Sequence, residues 1–458
     1  MSGAVRRTCS RRGFLKDTGR IAAASALAAA ASTYVHAAED NTISIALVGC
    51  GGRGAGATSD ALSVKNGPIN LVAMADVFEN RLTGSYRALE ERHTEQVDVP
   101  EERRFIGFDA YKKAMDCLSP GDVVILATPP AFRWVHFTYA VEKGVNVFME
   151  KPVTVDGPTS RRMFKLGDAA TAKNLKVAVG LMSRHCRPLE QLFQRIHNGE
   201  IGDILLLRAY RMQGPIGFFA SDPKPQGISE LLYQVQRFHS FLWASGGCYS
   251  DFYIHHIDNC CWMKNAWPIE AQALGGRHYR GNSVDQNFDT YSVEYTFADG
   301  AKFFLDGRCM TGCSDIYSSY AHGSKGMAII SEAGDCGPHA SIFKGQNPTP
   351  ANRLWSYEGR PDDLGPYQNE WYDLIDAIRQ DKSYNEVRRG VKASLVASMG
   401  RMAAHTGRIV TYNEILNCKH EFAPDLDKLT IDSPAPLQAG PDGKYPVPQP
   451  GIITQREY

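Results

Sequence analysis

A glycine-rich run, Gly49-Cys50-Gly51-Gly52-Arg53-Gly54, and the tripeptide Glu150-Lys151-Pro152 stand about a hundred residues apart, and each closes an apolar stretch. The first follows Ile43 to Val48, where a buried parallel strand would hand over to a helix. That context suits recognition of a dinucleotide. Gly49 permits a tight turn, Gly51 lets the backbone approach a pyrophosphate, and Gly54 lets the helix pack closely. Gly52 and Arg53 complete the turn, and the first helical amides face the anion. The next apolar run, Ile69 to Ala75, ends in Asp76, 22 residues after Gly54. A carboxylate there accepts from ribose hydroxyls and repels a 2′-phosphate, so Asp76 argues for NAD. Arg53 and Arg81 are close enough in sequence to keep NADP open.

A second cluster, Asp251-Phe252-Tyr253-Ile254-His255-His256-Ile257-Asp258, lies in a helix-like run. Asp251 and His255 are four apart and share a face, whereas His256 turns roughly 100° away. When hydride leaves a secondary alcohol, the hydroxyl proton must pass to a base, and neutral imidazole titrates in the useful range. His255 is therefore the candidate base, Lys151 the stabiliser of alkoxide character, and Asp251 a contact of the imidazole or of a substrate hydroxyl. A buried lysine needs a partner, so Lys151 should meet a carboxylate, a substrate oxygen or both. Asp251, His255, His256 and Asp258 are also metal-ligating types. They lack a clear second shell, and hydride transfer needs no metal, so none is expected.

The elements that must position these residues alternate strand and helix. Asp122 to Ala127 reads as a buried strand, and Thr128-Pro129-Pro130 prevents its extension at the edge where ligands bind in open α/β sheets. Thr128, Pro129 and Glu150 thereby join the cofactor-binding candidates. Val145 to Met149 delivers Lys151 to the same edge. Farther on, Thr290 to Phe297 and Lys302 to Leu305 flank Ala298-Asp299-Gly300 and read as an antiparallel hairpin. Arg184 follows the strand-like Val177 to Gly180, and Tyr210 with Arg211 follows Ile204 to Ala209. These residues are candidates for the substrate side, whereas the aromatic stretch Tyr233 to Trp243 reads as packing or an oligomer face.

Together, Gly49 to Gly54, Ala127 to Pro130, Gly144 to Pro152, Gly199 to Ile204 and Gly400 to Arg408 resemble the Gfo/Idh/MocA oxidoreductase family, from about residue 41 to about 418. The resemblance implies an α/β fold with an N-terminal Rossmann domain, a doubly wound parallel sheet, over 41–180. It implies a substrate and oligomerisation α+β domain with a large, mostly antiparallel sheet over 181–418. It also implies a carbohydrate or cyclitol substrate and a homo-oligomer, a dimer or tetramer. The acid and histidine of the family's D-x-G-x-H pattern match Asp251 and His255. Tyr253 stands where the pattern has glycine and is expected to narrow the substrate space, with His256 beside it as a further substrate candidate.

Before the fold, Ser10-Arg11-Arg12-Gly13-Phe14-Leu15-Lys16 reads as a twin-arginine export signal, followed by small residues from Ile21 to Ala31. The stretch is too short and alanine-rich for a span of roughly 20 strongly apolar residues. Cleavage is expected near Ala37 or Ala38, with an uncleaved anchor left open, so residues 1–38 form the signal. The Tat translocase is then a partner during export, and the destination is the periplasm. No free NAD pool is expected there, so the nucleotide should stay bound and be reset within the catalytic cycle.

The 458 residues are 43% hydrophobic, with 50 basic and 50 acidic side chains, and give no sign of a nucleic-acid partner. The 11 cysteines show no CxxC spacing. Cys309 with Cys313, or Cys336 with some partner, are the open disulfide choices. The last forty residues, 419–458, hold seven prolines and read as an arm wrapped on a neighbour or a loose tail. The expectation is thus an NAD(P)-dependent oxidoreductase acting on a secondary hydroxyl of a sugar, cyclitol or glycoside. The alternative is a glycosidase or lyase that oxidises, eliminates and reduces with no net redox change.

Overall fold

The computed structural model describes residues 41–278, 280–336, 339–359 and 363–458; the segment read as an export signal lies outside them. From Ile43 onward the chain forms one unit built on two sheets. Strands β1 (Ile43–Val48), β2 (Ile69–Asp76), β3 (Arg104–Ile106), β4 (Val123–Leu126), β5 (Asn146–Met149) and β6 (Val177–Val179) form a parallel sheet in the order β3-β2-β1-β4-β5-β6. β4, β5 and β6 are wholly buried apolar runs, apart from Asn146, as a sheet covered on both faces requires. The order reverses between β1 and β4, which opens a crevice at their carboxyl ends.

Helix α1 (Gly52–Leu62) follows β1, and α2 (Glu79–Arg92) follows β2. Helix α3 (Arg133–Lys143) joins β4 to β5 and stops at Gly144, whose φ of +81° makes the left-handed cap that ends many helices. Helix α4 (Gly157–Ala172) begins at Asp156, whose carboxylate accepts from the Thr159 amide, with Pro158 in its first turn.

Among the described residues the second sheet has nine strands. Five of them set the site: β7 (Ile204–Gln213), β8 (Glu270–Gly276), β9 (Thr290–Thr296), β10 (Lys302–Cys309) and β11 (Ile316–Gly323). All its pairings are antiparallel except β7 with β10. The expected hairpin is β9 and β10, paired from Thr290–Arg308 to Thr296–Lys302. Helix α5 (Gly247–Lys264) packs on this sheet and is buried along almost its whole length.

Helix α6 (Pro366–Arg379) packs against α1, and its Trp371 stacks on Phe148 of β5 at 4.6 Å. A segment expected in the second domain therefore covers the first sheet. Helix α7 (Val387–Thr406) is buried between α4, α5 and the second sheet. The proline-rich tail folds back on its own chain rather than hanging loose. Leu437 and Tyr445 are buried, and Glu457 reaches Arg401 and His405 of α7. Cys336 does find a disulfide partner, Cys186, whereas Cys309 and Cys313 are both free.

Candidate active site

The carboxyl ends of β1, β2, β4 and β5 face a cleft of about 750 Å³ whose opposite wall comes from β7, α5 and the segment before it. Every cofactor-side candidate, Gly49, Gly51, Gly52, Arg53, Gly54, Asp76, Thr128, Pro129, Glu150 and Lys151, lines this one cleft. Gly49 has φ +98°, and a Cβ there would stand 2.7 Å from the Ala127 and Thr128 backbone. A Cβ on Gly54 would run into the Gly49 carbonyl. At Gly51 and Gly52, by contrast, a Cβ would meet nothing. Two glycines thus serve the fold of the turn, and two leave open the space over the helix end that a pyrophosphate would take.

Asp76 accepts from the Cys50 amide at 2.7 Å and from the Phe78 amide at 2.8 Å. Burial pushes its carboxyl above the ordinary value, against the pull of those amides and of Arg81. With two acceptor positions used, others remain for ribose hydroxyls. Three strand spacings, roughly 14 Å, separate the ends of β2 and β5, so Asp76 and Lys151 stand at opposite ends of the crevice. The set fits a dinucleotide. Arg53 is engaged elsewhere: Nε meets Glu150 at 2.9 Å, Nη2 meets Asp60 at 3.2 Å, and the guanidinium covers Tyr367. Arg81 donates to the Gln236 carbonyl and lies within electrostatic reach of Asp76. Behind the loop, the buried Arg133 donates to the carbonyls of Leu126 and Thr128 and holds the strand end in place.

Lys151, Asp251 and His255 converge on this cleft. Lys151 Nζ donates to the Asp251 carbonyl at 2.5 Å and lies 3.7 Å from its carboxylate. Asp251 has His255 within electrostatic reach, but its bonded imidazole is another. Its carboxylate meets Nε2 of His239 at 3.1 Å, while His239 Nδ1 accepts from the Phe218 amide at 3.1 Å. An imidazole that accepts at Nδ1 is neutral and carries its proton on Nε2, so His239 donates to Asp251. Burial would raise the Asp251 carboxyl, but Lys151 and His239 hold it down to about 2. His255 is buried, which lowers its pKa from the usual histidine value, and its Nδ1 has no protein partner. The arrangement presents a lysine ammonium and a neutral, acceptor-capable imidazole toward one space.

Of the five substrate-side candidates, Arg211 lines the cleft and the other four lie elsewhere. Arg184 makes a bidentate pair with Asp258 at 2.8 Å beneath Trp262, and His185 beside it bonds Asp373 at 2.6 Å. Tyr210 accepts from Arg208 on the face of β7 away from the cleft, because successive strand residues alternate, and that alternation turns Arg211 inward instead. His256 stacks on Tyr317 at 4.8 Å and is buried behind the cleft wall; burial lowers its pKa to about 3. Tyr253 does not narrow the substrate space. It points into the sheet, with its hydroxyl 3.6 Å from Cys309 Sγ and its ring over Gly307 of β10, where a Cβ would collide with it.

Several cleft residues carry no clear signal in the sequence, His239, Tyr367 and Asp335 among them. His239 was hidden in an aromatic stretch that reads as packing. Tyr367 belongs to a helix assigned to the other domain, and Asp335 sits in a loop whose only signal was its neighbour Cys336.

Fold and cleft together define a Rossmann-type nucleotide-binding protein with a second, sheet-backed domain. Residues 43–181 match the Gfo/Idh/MocA family model, described as an oxidoreductase family with an NAD-binding Rossmann fold. The chain is 22% identical to the rhizopine catabolism protein MocA of Rhizobium meliloti over 197 residues, 43% of this chain and 55% of that protein. It is 27% identical to inositol 2-dehydrogenase of Corynebacterium glutamicum (strain R) over 113 residues, 24% of this chain and 33% of that protein. The matched part spans about half or less of these relatives' length. Among solved structures, levoglucosan dehydrogenase in complex with NADH and levoglucosan is similar, with a TM-score of 0.61 and 17% identity over 81% of this chain and 99% of that one. At that identity the likeness establishes the fold.

Proposed function

We propose that this protein is an NAD-dependent oxidoreductase that takes hydride from a secondary hydroxyl of a sugar, cyclitol or glycoside, holding its nucleotide through turnover. One observation carries the reading: Lys151, Asp251 and His255 meet at the end of the crevice opposite Asp76. NAD is favoured over NADP because Asp76 faces the ribose end while Arg53 is bound to Glu150 and Asp60. The reading includes a homo-oligomeric state and twin-arginine export to the periplasm, the latter supported by Ser10 to Lys16 and the small residues after them.

Gly49 to Gly54, Asp76, Thr128 and Pro129 would hold the nucleotide, whose nicotinamide would supply an acceptor for hydride from the carbinol carbon. His255, neutral through burial, takes the hydroxyl proton. Lys151 donates to the oxygen as it gains alkoxide character, and Asp251 balances the lysine charge so that the site carries no excess. His239 orients Asp251 by donating to its second oxygen.

Mass spectrometry of the small molecules released from dialysed, purified protein is expected to find stoichiometric NAD. Lys151→Ala should keep that nucleotide yet lose about 10²–10³-fold in turnover, the scale of one missing oxyanion donor. An active Lys151→Ala enzyme, or a protein that binds neither nucleotide, sinks the reading. Cleavage of a glycoside without accumulated NADH would instead favour the redox-neutral route.

A further inference from the structure

The substrate end of the cleft holds a second charged pair that the mechanism above does not use. Arg211 of β7 is buried, its guanidinium lies 3.7 Å from the Tyr317 ring, and its Nε and Nη1 have no hydrogen-bond partner among the described residues. Asp335 faces it, with Oδ1 3.7 Å from Arg211 Nη1, 3.9 Å from His256 Nδ1, and without a hydrogen-bond partner among the described residues. Both line the cleft with Lys151 and His255. The separation is too long for a hydrogen bond between them, so each keeps an unmet demand, one for an acceptor and one for a donor.

A hydroxyl group meets both demands at once, giving its proton to Asp335 and a lone pair to Arg211. A carboxylate or phosphate offers only lone pairs, leaves Asp335 without a donor, and sets like charge against it. Asp335 cannot easily turn aside. Its carbonyl accepts from Asn259 Nδ2 at 2.9 Å and from Ser183 Oγ at 3.4 Å, and the next residue is bridged to Cys186. The other charges nearby are already matched, Lys151 with Asp251 and Arg53 with Glu150, so an acidic substrate meets Arg211, whose charge Asp335 already balances.

Resting on the oxidoreductase reading, we propose that Arg211 and Asp335 are specificity-determining residues that select a neutral polyhydroxyl ring and reject its carboxylate-bearing counterparts.

The test titrates glucose, galactose and myo-inositol, then glucuronate and galacturonate, into the purified full chain carrying its own nucleotide, by calorimetry. Reduced nicotinamide absorbance is followed in parallel. Neutral rings should bind roughly tenfold or more tightly than the acids, since charge placed against like charge is costly. Asp335→Asn should cut that ratio by about the same factor, with nucleotide content and thermal midpoint kept. A wild-type preference for the acids, binding of neither class, or an unchanged ratio in Asp335→Asn overturns the proposal. Neutral preference without nicotinamide reduction keeps the pair and refutes the redox reading; acid preference with reduction refutes the pair alone.

Discussion

Replacing Glu457 by Gln should weaken the whole fold although this residue is next to the last in the chain. Arg401 is completely buried and Glu457 nearly so. The guanidinium donates from Nε and Nη2 to the two Glu457 oxygens, both at 2.9 Å, from Nη1 to Gly246 O and Ser250 Oγ, and from Nη2 to Val155 O. His405 adds a bond from Nδ1 to Glu457 at 2.7 Å. Burial would raise the Glu457 carboxyl, yet Arg401 and His405 hold it at about 2 against an ordinary 4.5. A depression of about 2.5 units at about 1.36 kcal/mol each is worth about 3 kcal/mol. Breaking a buried ion pair from one side costs about 3–5 kcal/mol, which agrees. Because the folded pKa is depressed, this stability is complete above the ordinary value and is lost as pH falls through about 2. Equilibrium urea unfolding at neutral pH should therefore show Glu457→Gln less stable by about 3 kcal/mol, with the gap closing in acid. Gly246 and Ser250 sit at the start of the helix that carries Asp251 and His255, so turnover should fall as well. Equal stability at neutral pH, or a gap that persists unchanged into strong acid, would refute the reasoning.

Gly51→Val should fold with the thermal midpoint of the nucleotide-free wild type, since a Cβ there meets nothing, but mass spectrometry should find the nucleotide gone. Gly307→Ala drives a methyl into the Tyr253 ring and should cost about 1–3 kcal/mol in urea unfolding. Combining it with Tyr253→Ala should cost less than the sum of the two, and strict additivity would count against the contact. Burial keeps His255 neutral to lower pH than a free histidine, so the acid limb of kcat/KM should fall below the ordinary histidine value of 6.5. A limb above it would remove His255 as the base.

Much of the nucleotide half was legible in the chain because its signals are local. A strand, a glycine turn and an acid after the next strand lie in sequence order, and the parallel sheet orders its strand ends so that Gly49, Asp76, Thr128 and Lys151 share one edge. Helical spacing likewise put Asp251 and His255 on one face. What local pattern could not supply was the partner of each side chain. Asp251 and His255 are four apart, yet Asp251 bonds His239, twelve residues earlier, because a separate turn brings that imidazole across the helix face. Tyr253 occupies the position of a glycine in a familiar pattern. Only the sheet shows that it points away from the cleft, into room left by Gly307. Trp371 joins the first sheet and Glu457 joins Arg401 over separations that carry no periodic signal. The strand ends, the turn and the helix face could be read along the chain, since they follow from backbone geometry and short-range spacing. Tertiary packing decided which charges are paired, which remain open to a ligand, and how far each pKa moves, because burial and counter-charges come from residues remote in the chain.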